Sequence, residues 1–179
     1  VSEILFEEGG QRRTEKIVYA PPNTLDRIQM TPQDIEDLEN IQPFVLTTAE
    51  LDLYDVEYMG KEQIDEIDCY VFDVGPKRIE EDMRYFEGRI WVDDLDLQIV
   101  KTYGKAVPDI VDDGPENLFP RFETYREQID GVYWFPTYTR AVDTLNFRSG
   151  PVRIRQIIRY EDYKQFAADV TFTFGDEVD

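Results

Sequence analysis

Between Met83 and Lys105 the residues alternate with a period of two. Phe86, Gly88, Ile90 and Val92 fall on one side, and Tyr85, Glu87, Arg89 and Trp91 on the other. The pattern predicts a long antiparallel hairpin that turns over Asp93-Asp94-Leu95-Asp96. On its second arm Leu97 and Ile99 alternate with Gln98 and Val100 before Thr102 and Tyr103. Such a sheet, apolar on one face and carrying aromatics on the other, has something lying against both faces.

The same signals extend along the chain. Two strands are expected at 2–7 and 14–20, joined by a turn at Gly9-Gly10 and ended by Pro21-Pro22-Asn23. A helix of about three turns should follow, with Thr31 as N-cap, Pro32 in its first position and Asp34 in its first turn. Ile35, Leu38 and Ile41 form its apolar stripe, Glu36, Asp37, Glu39 and Asn40 face water, and Pro43 stops it. Leu53 to Met59 and Ile67 to Val74 read as a hairpin around Gly60. Residues 106–120 hold three prolines and read as a long loop with the character of a mobile flap. Arg121 to Ile129 and Val132 to Phe147 flank the turn signal Asp130-Gly131. Val152 to Phe166 is the last long strand, and Val170, Phe172 and Phe174 alternate with threonines as a short final one.

Eight or nine strands in meander order with one short helix place the chain in the mainly β (α+β) class. A strand from Val132 to Phe147 would extend roughly 50 Å at 3.3 Å per residue, so it must bend, and Pro136 is the natural place for a bulge. The expected architecture is a curved antiparallel sheet forming an incomplete (half) barrel, with one or a few helices packed on its concave face. The 179 residues fit one domain, 1–179, with 166–179 as a tail.

Composition narrows the chemistry. With 19 Lys+Arg against 39 Asp+Glu the net charge is -20, which argues against nucleic acid or an anionic membrane as the main partner. No apolar run approaches the ~18 residues of a membrane span, so no transmembrane segment is expected. Histidine is absent, serine occurs only at Ser2 and Ser149, and Cys69 is alone. No Ser-His or Cys-His pair can be built, and neither can a His-ligated zinc site or an internal disulfide. Carboxylate chemistry of the glycosidase type is what remains for catalysis, and no acid pair is singled out for it. The chain is therefore read as a non-enzyme without cofactor or metal. Asp93, Asp94 and Asp96 lack the spacing of a calcium loop and read as a solvated turn, and Asp109, Asp112, Asp113 and Glu116 read as a surface loop. Cys69 reads as a small buried side chain. The start at Val1 suggests a fragment or a processed chain.

Three successive strand motifs carry a resemblance: Tyr54-Asp55-Val56-Glu57-Tyr58-Met59-Gly60; Cys69-Tyr70-Val71-Phe72-Asp73-Val74 with Pro76-Lys77; and Phe86-Glu87-Gly88-Arg89-Ile90-Trp91-Val92-Asp93. With Phe119-Pro120-Arg121-Phe122 and Tyr133-Trp134-Phe135-Pro136-Thr137 they resemble the outer-membrane lipoprotein-sorting proteins, the LolA/LolB-like group, over residues 45–165. The resemblance implies an incomplete barrel closed by helices, an apolar cavity for lipoprotein acyl chains, and a place in the periplasm or at the outer membrane. Members begin with a signal peptide, a long helix and a strand, which the chain is expected to lack.

Two sets of side chains are candidates for that role. Tyr85, Trp91, Trp134, Tyr138, Phe86 and Ile90 are the expected ligand-binding residues, since ordinary packing explains only one face of each strand. Arg153, Arg155 and Arg159 share a strand face and suit an anionic headgroup or an acidic partner, unless they pair with carboxylates such as Glu123 and Glu127. The expected partner is a lipid or lipoprotein cargo. An envelope protein is the alternative, with the chain as an interaction module similar in fold to the periplasmic sensors that regulate anti-sigma factors.

Overall fold

The computed structural model describes residues 2–6, 13–17, 31–44, 46–81, 83–111 and 116–164. Strands β1 (Ser2–Phe6) and β2 (Arg13–Ile17) pair antiparallel as a two-stranded sheet. The expected strand at Val170 to Phe174, the tail 166–179 and the Gly9-Gly10 turn lie outside the described residues. After β2 come helix α1 (Pro32–Asn40) and a 3-10 turn at Leu51–Leu53. Seven strands then follow: β3 (Tyr54–Ile64), β4 (Ile67–Pro76), β5 (Tyr85–Asp93), β6 (Ile99–Val107), β7 (Phe122–Ile129), β8 (Tyr133–Phe147) and β9 (Gly150–Arg159). They form one antiparallel sheet in chain order, curved and unclosed, with β3 and β9 as its edges.

The mainly β class, the meander and the missing closure agree with the alternation of the sequence. The turn between β3 and β4 does not: it lies at Asp65-Glu66, not Gly60. Asp65 takes the left-handed backbone (φ 52), which Asp tolerates, while Gly60 (φ 118) sits at a bulge that leaves Met59 outside the ladder. The bulge expected at Pro136 falls at the next residue, for the β7–β8 register slips between Tyr125 and Arg126 and skips Thr137, while Pro136 stays opposite Arg126. The last strand ends at Arg159 rather than Phe166. Tyr160 donates one more hydrogen bond to Thr137 O, and Asp162 (φ 59) then breaks the extended run.

Registers assign the two faces, because residues directly opposite in an antiparallel ladder point the same way. One row runs Val56, Val74, Gly88, Gly104, Phe122, Ala141, Gln156, and its neighbour runs Tyr58, Phe72, Ile90, Thr102, Thr124, Thr139, Ile158. These rows make the core face. The opposite face carries the row Glu57, Asp73, Arg89, Tyr103, Glu123, Arg140, Ile157.

Helix α1 and the segment after it lie on the core face. Thr31 caps the helix with a capping box: its hydroxyl accepts from Asp34 N at 3.1 Å, and its own N–H donates to Asp34 Oδ2 at 2.7 Å. Ile41, Gln42, Pro43 and Phe44 are buried. The Phe44 ring stacks on Phe86 at 4.3 Å between centroids. Four polar contacts fix this segment. Thr124 Oγ1 donates to Gln42 O at 3.0 Å, Gln42 Nε2 to Gln156 Oε1 at 2.6 Å, and the Arg126 guanidinium to Pro43 O and Phe44 O. Burial pushes Arg126 down to about 10, which still leaves it protonated near neutral pH.

The helical stripe is rotated from the expected one. Ile35 is exposed, Leu38 half-buried, and Asp37, expected to face water, is fully buried. The cause is Arg84, just before β5, whose guanidinium holds the Asp37 carboxylate with Nη2 to Oδ2 at 2.7 Å. Arg84 also donates to Asn117 Oδ1 at 2.8 Å and to Pro108 O. Asn117 in turn donates to Asp34 Oδ1 at 2.7 Å and forms a β-bridge with Ile110. Both ends of the loop expected as a flap are thus tied to the helix.

Candidate functional site: the charged face

The face opposite α1 holds most of the sheet's ionic chemistry: Asp55, Glu57, Asp73, Glu87 and Arg89 lie on that side of β3, β4 and β5, beside the apolar patch of Cys69, Val71 and Trp91. Arg89 and Asp73 stand opposite each other and form a two-pronged pair, Nε–Oδ1 2.6 Å and Nη2–Oδ2 2.9 Å. The Arg89 guanidinium holds the Asp73 carboxyl below the usual carboxylate range. That shift keeps Asp73 ionised and is the wrong direction for a general acid. Farther along, Lys101 lies over the rings of Trp91 and Tyr125, at 4.9 and 4.8 Å, and 3.7 Å from Glu123. Glu123 is shared with Arg140 at 3.6 Å.

An open trough of about 580 Å³ crosses this face, floored by Trp91 and Tyr103 and walled by Asp55, Glu57, Glu87 and Arg121. A smaller one of about 180 Å³ continues past Tyr103 and Arg121 to Arg140 and Val142. The walls suit a ligand with polar or ionic groups. Among the described residues no group of three or more Cys, Asp or Glu is placed to hold a metal ion.

The expected ligand-binding residues do not gather on one surface. Phe86 (0% exposed) and Ile90 (3%) are packed into the core cluster with Ile41 and Phe44. Tyr85 (3%) meets the edge of the Tyr54 ring at 6.2 Å. Trp91 (7%) belongs to a second cluster with Cys69, Val71 and Val100, and its Nε1 donates to Glu62 at 2.8 Å. Trp134 packs against that second cluster and donates to Asp96 at 3.2 Å, and half-buried Tyr138 lies 6.4 Å from Tyr125, centroid to centroid. The aspartate turn, expected to be solvated, thereby ties neighbouring strands: Asp94 pairs with Lys61 at 2.8 Å, and Asp96 also accepts from Gln128.

The arginines of β9 depart from the pairing expected for them. Glu123 is taken by Lys101 and Arg140, and Glu127 accepts from Thr137 Oγ1 at 3.2 Å. Arg153, Arg155 and Arg159 are exposed and, among the described residues, form no ion pair. Sequence reasoning had not singled out Asp55, Glu57, Tyr103 or Arg121 as site residues. Their signal was present in the alternation, but the registers were needed to bring four strands into one trough. No family model, no curated protein and no solved structure matches the chain.

Proposed function

We propose that the chain is a non-enzymatic, LolA-like binding protein of a bacterial cell envelope, which holds an acyl chain of a lipid or lipoprotein against its core face. In this reading α1 sits on the concave side of the half-barrel. The observation that supports it is the extent of the core face beyond its helical cover. At the β3 margin Val56 (39% exposed) and Tyr58 (56%) stand beside half-buried Phe72. At the β9 margin Val152, Ile154 and Ile158 are only half-buried. Apolar side chains in that arrangement gain about 25 cal/mol for each Å² that a hydrocarbon removes from water.

Titration with a fluorescent fatty acid tests the reading. Saturable binding is expected, weakened at least tenfold by Tyr58→Glu, together with co-purifying lipid in native mass spectra. Absence of both sinks it. A second reading, a protein-interaction module of the same fold, rests on the charged trough walled by Asp55, Glu57, Glu87 and Arg121, whose ionic walls fit a polypeptide better than an acyl chain. Under it, native spectra show no lipid.

A further inference from the structure

Among the described residues β3 and β9 each pair on one side only, and these two edges of the sheet are complementary. On the charged side β9 presents Arg153, Arg155, Ile157 and Arg159, and β3 presents Asp55, Glu57, Gly60 and Glu62. All of these except half-buried Gly60 are exposed, and the arginines, Asp55 and Glu57 have no ion-pair partner among the described residues. Six antiparallel steps separate the two strands, so they run in the same direction.

We propose that two copies of this chain dimerise by joining β9 of each to β3 of the other. Laid in parallel, the strands match position by position: Arg153 beside Asp55, Arg155 beside Glu57, Ile157 beside Gly60, and Arg159 beside Glu62. The bulge that removes Met59 from the ladder is what keeps the last pair in step. On the core side the same alignment sets Ile154 beside Val56, extending apolar packing across the joint. Reversing the direction of β3 loses this match, since Glu57 would then meet Ile157 and Arg155 would meet Gly60.

Like edges repel. Joining β9 to β9 sets arginine against arginine, and joining β3 to β3 sets carboxylate against carboxylate, so the charges that guard each edge against its twin direct it to the other. An interface between unlike edges either closes on itself or runs on as a fibre. The curvature of the sheet favours closure, with two identical joints and twice the seven strands of one copy. The inference needs no bound lipid, although the joint would cover Val56 and Ile154, which the lipid reading leaves at the open margins.

Sedimentation of the full chain at low salt tests it. The native protein is expected as a dimer whose dissociation constant rises at least tenfold in 0.5 M NaCl, as screened charge pairs require. The triple reversal R153E/R155E/R159E should be monomeric with an unchanged circular dichroism spectrum, as should D55R/E57R. Mixing these two variants should restore association, because one joint then pairs arginine with glutamate again in the opposite sense. A native protein that stays monomeric at high concentration, a ladder of larger species, a dimer that survives the reversals, or variants that fail to associate when mixed would each overturn the proposal.

Discussion

The carboxylate of Asp37 lies against the guanidinium of Arg84 with both side chains out of water, 0% and 6% exposed. Arg84 Nε reaches Oδ1 and Oδ2 at 3.2 and 3.1 Å, Nη2 reaches Oδ2 at 2.7 Å, and Gln33 Nε2 donates to Oδ1 at 3.2 Å. One arginine thus gathers the helix, the entry to β5 and both ends of the loop between β6 and β7.

Removing one partner leaves the other charged and buried. Asp37→Ala should destabilise the fold by about 3–5 kcal/mol, whereas Asp37→Leu combined with Arg84→Met should recover much of that loss. Urea denaturation of the single and double variants measures both. A single-variant loss below about 1 kcal/mol would show that the pair is not what holds the helix.

Gly88 and Gly104 stand opposite each other at the centre of the β5–β6 ladder. A Cβ on Gly104 would lie 2.3 Å from Glu87 O and 2.7 Å from the Phe86 ring. Neither contact can be relieved without moving backbone or the ring that stacks on Phe44. Gly104→Ala should cost about 1–3 kcal/mol. Gly75→Ala, whose Cβ meets only Glu87 Cγ at 3.8 Å, should be close to neutral, and thermal melts of the two variants give the comparison.

Cys69 is 0% exposed and donates its thiol to Ile67 O at 3.4 Å. Burial pushes this thiol up from its ordinary range. The unfolded chain therefore loses the thiol proton first, and the stability that this group contributes is full below about pH 8.5 and declines as pH rises beyond it. The native protein should react with an aromatic disulfide reagent at pH 8 at least a hundredfold more slowly than the urea-unfolded chain. Equal rates would show that Cys69 is open to solvent.

Much of the sheet was legible because its strands alternate. Phe86, Ile90 and Val92 announced the core face of β5, and the Asp130-Gly131 turn marked where β7 meets β8. Helix α1 was legible at its start, through Thr31, Pro32 and Asp34, and illegible in its orientation. A buried Asp37 is incompatible with any amphipathic pattern unless its cation is known, and Arg84 lies 47 residues away. Gly60 misled because a positive φ serves a bulge as readily as a turn. The site was harder still: which aromatics share a face follows from parity along one strand, but which strands lie side by side at which offset follows only from registers. Tyr85 and Trp91, on the same side of β5, consequently sit in different clusters.

The sheet is a strict meander, so each of its strands pairs with the strand made just before or just after it. Assembly of the sheet closes only short loops, the longest joining Val107 to Phe122. The helical segment is different: its anchors Gln42 and Asp37 reach Gln156 and Arg84, 114 and 47 residues along the chain. The hairpins are therefore expected to form early, with docking of residues 31–44 last, after the largest loss of chain entropy. Pulsed hydrogen exchange during refolding should protect amides of β4 to β8 before those of α1, and the reverse order would mean that the helix templates the sheet.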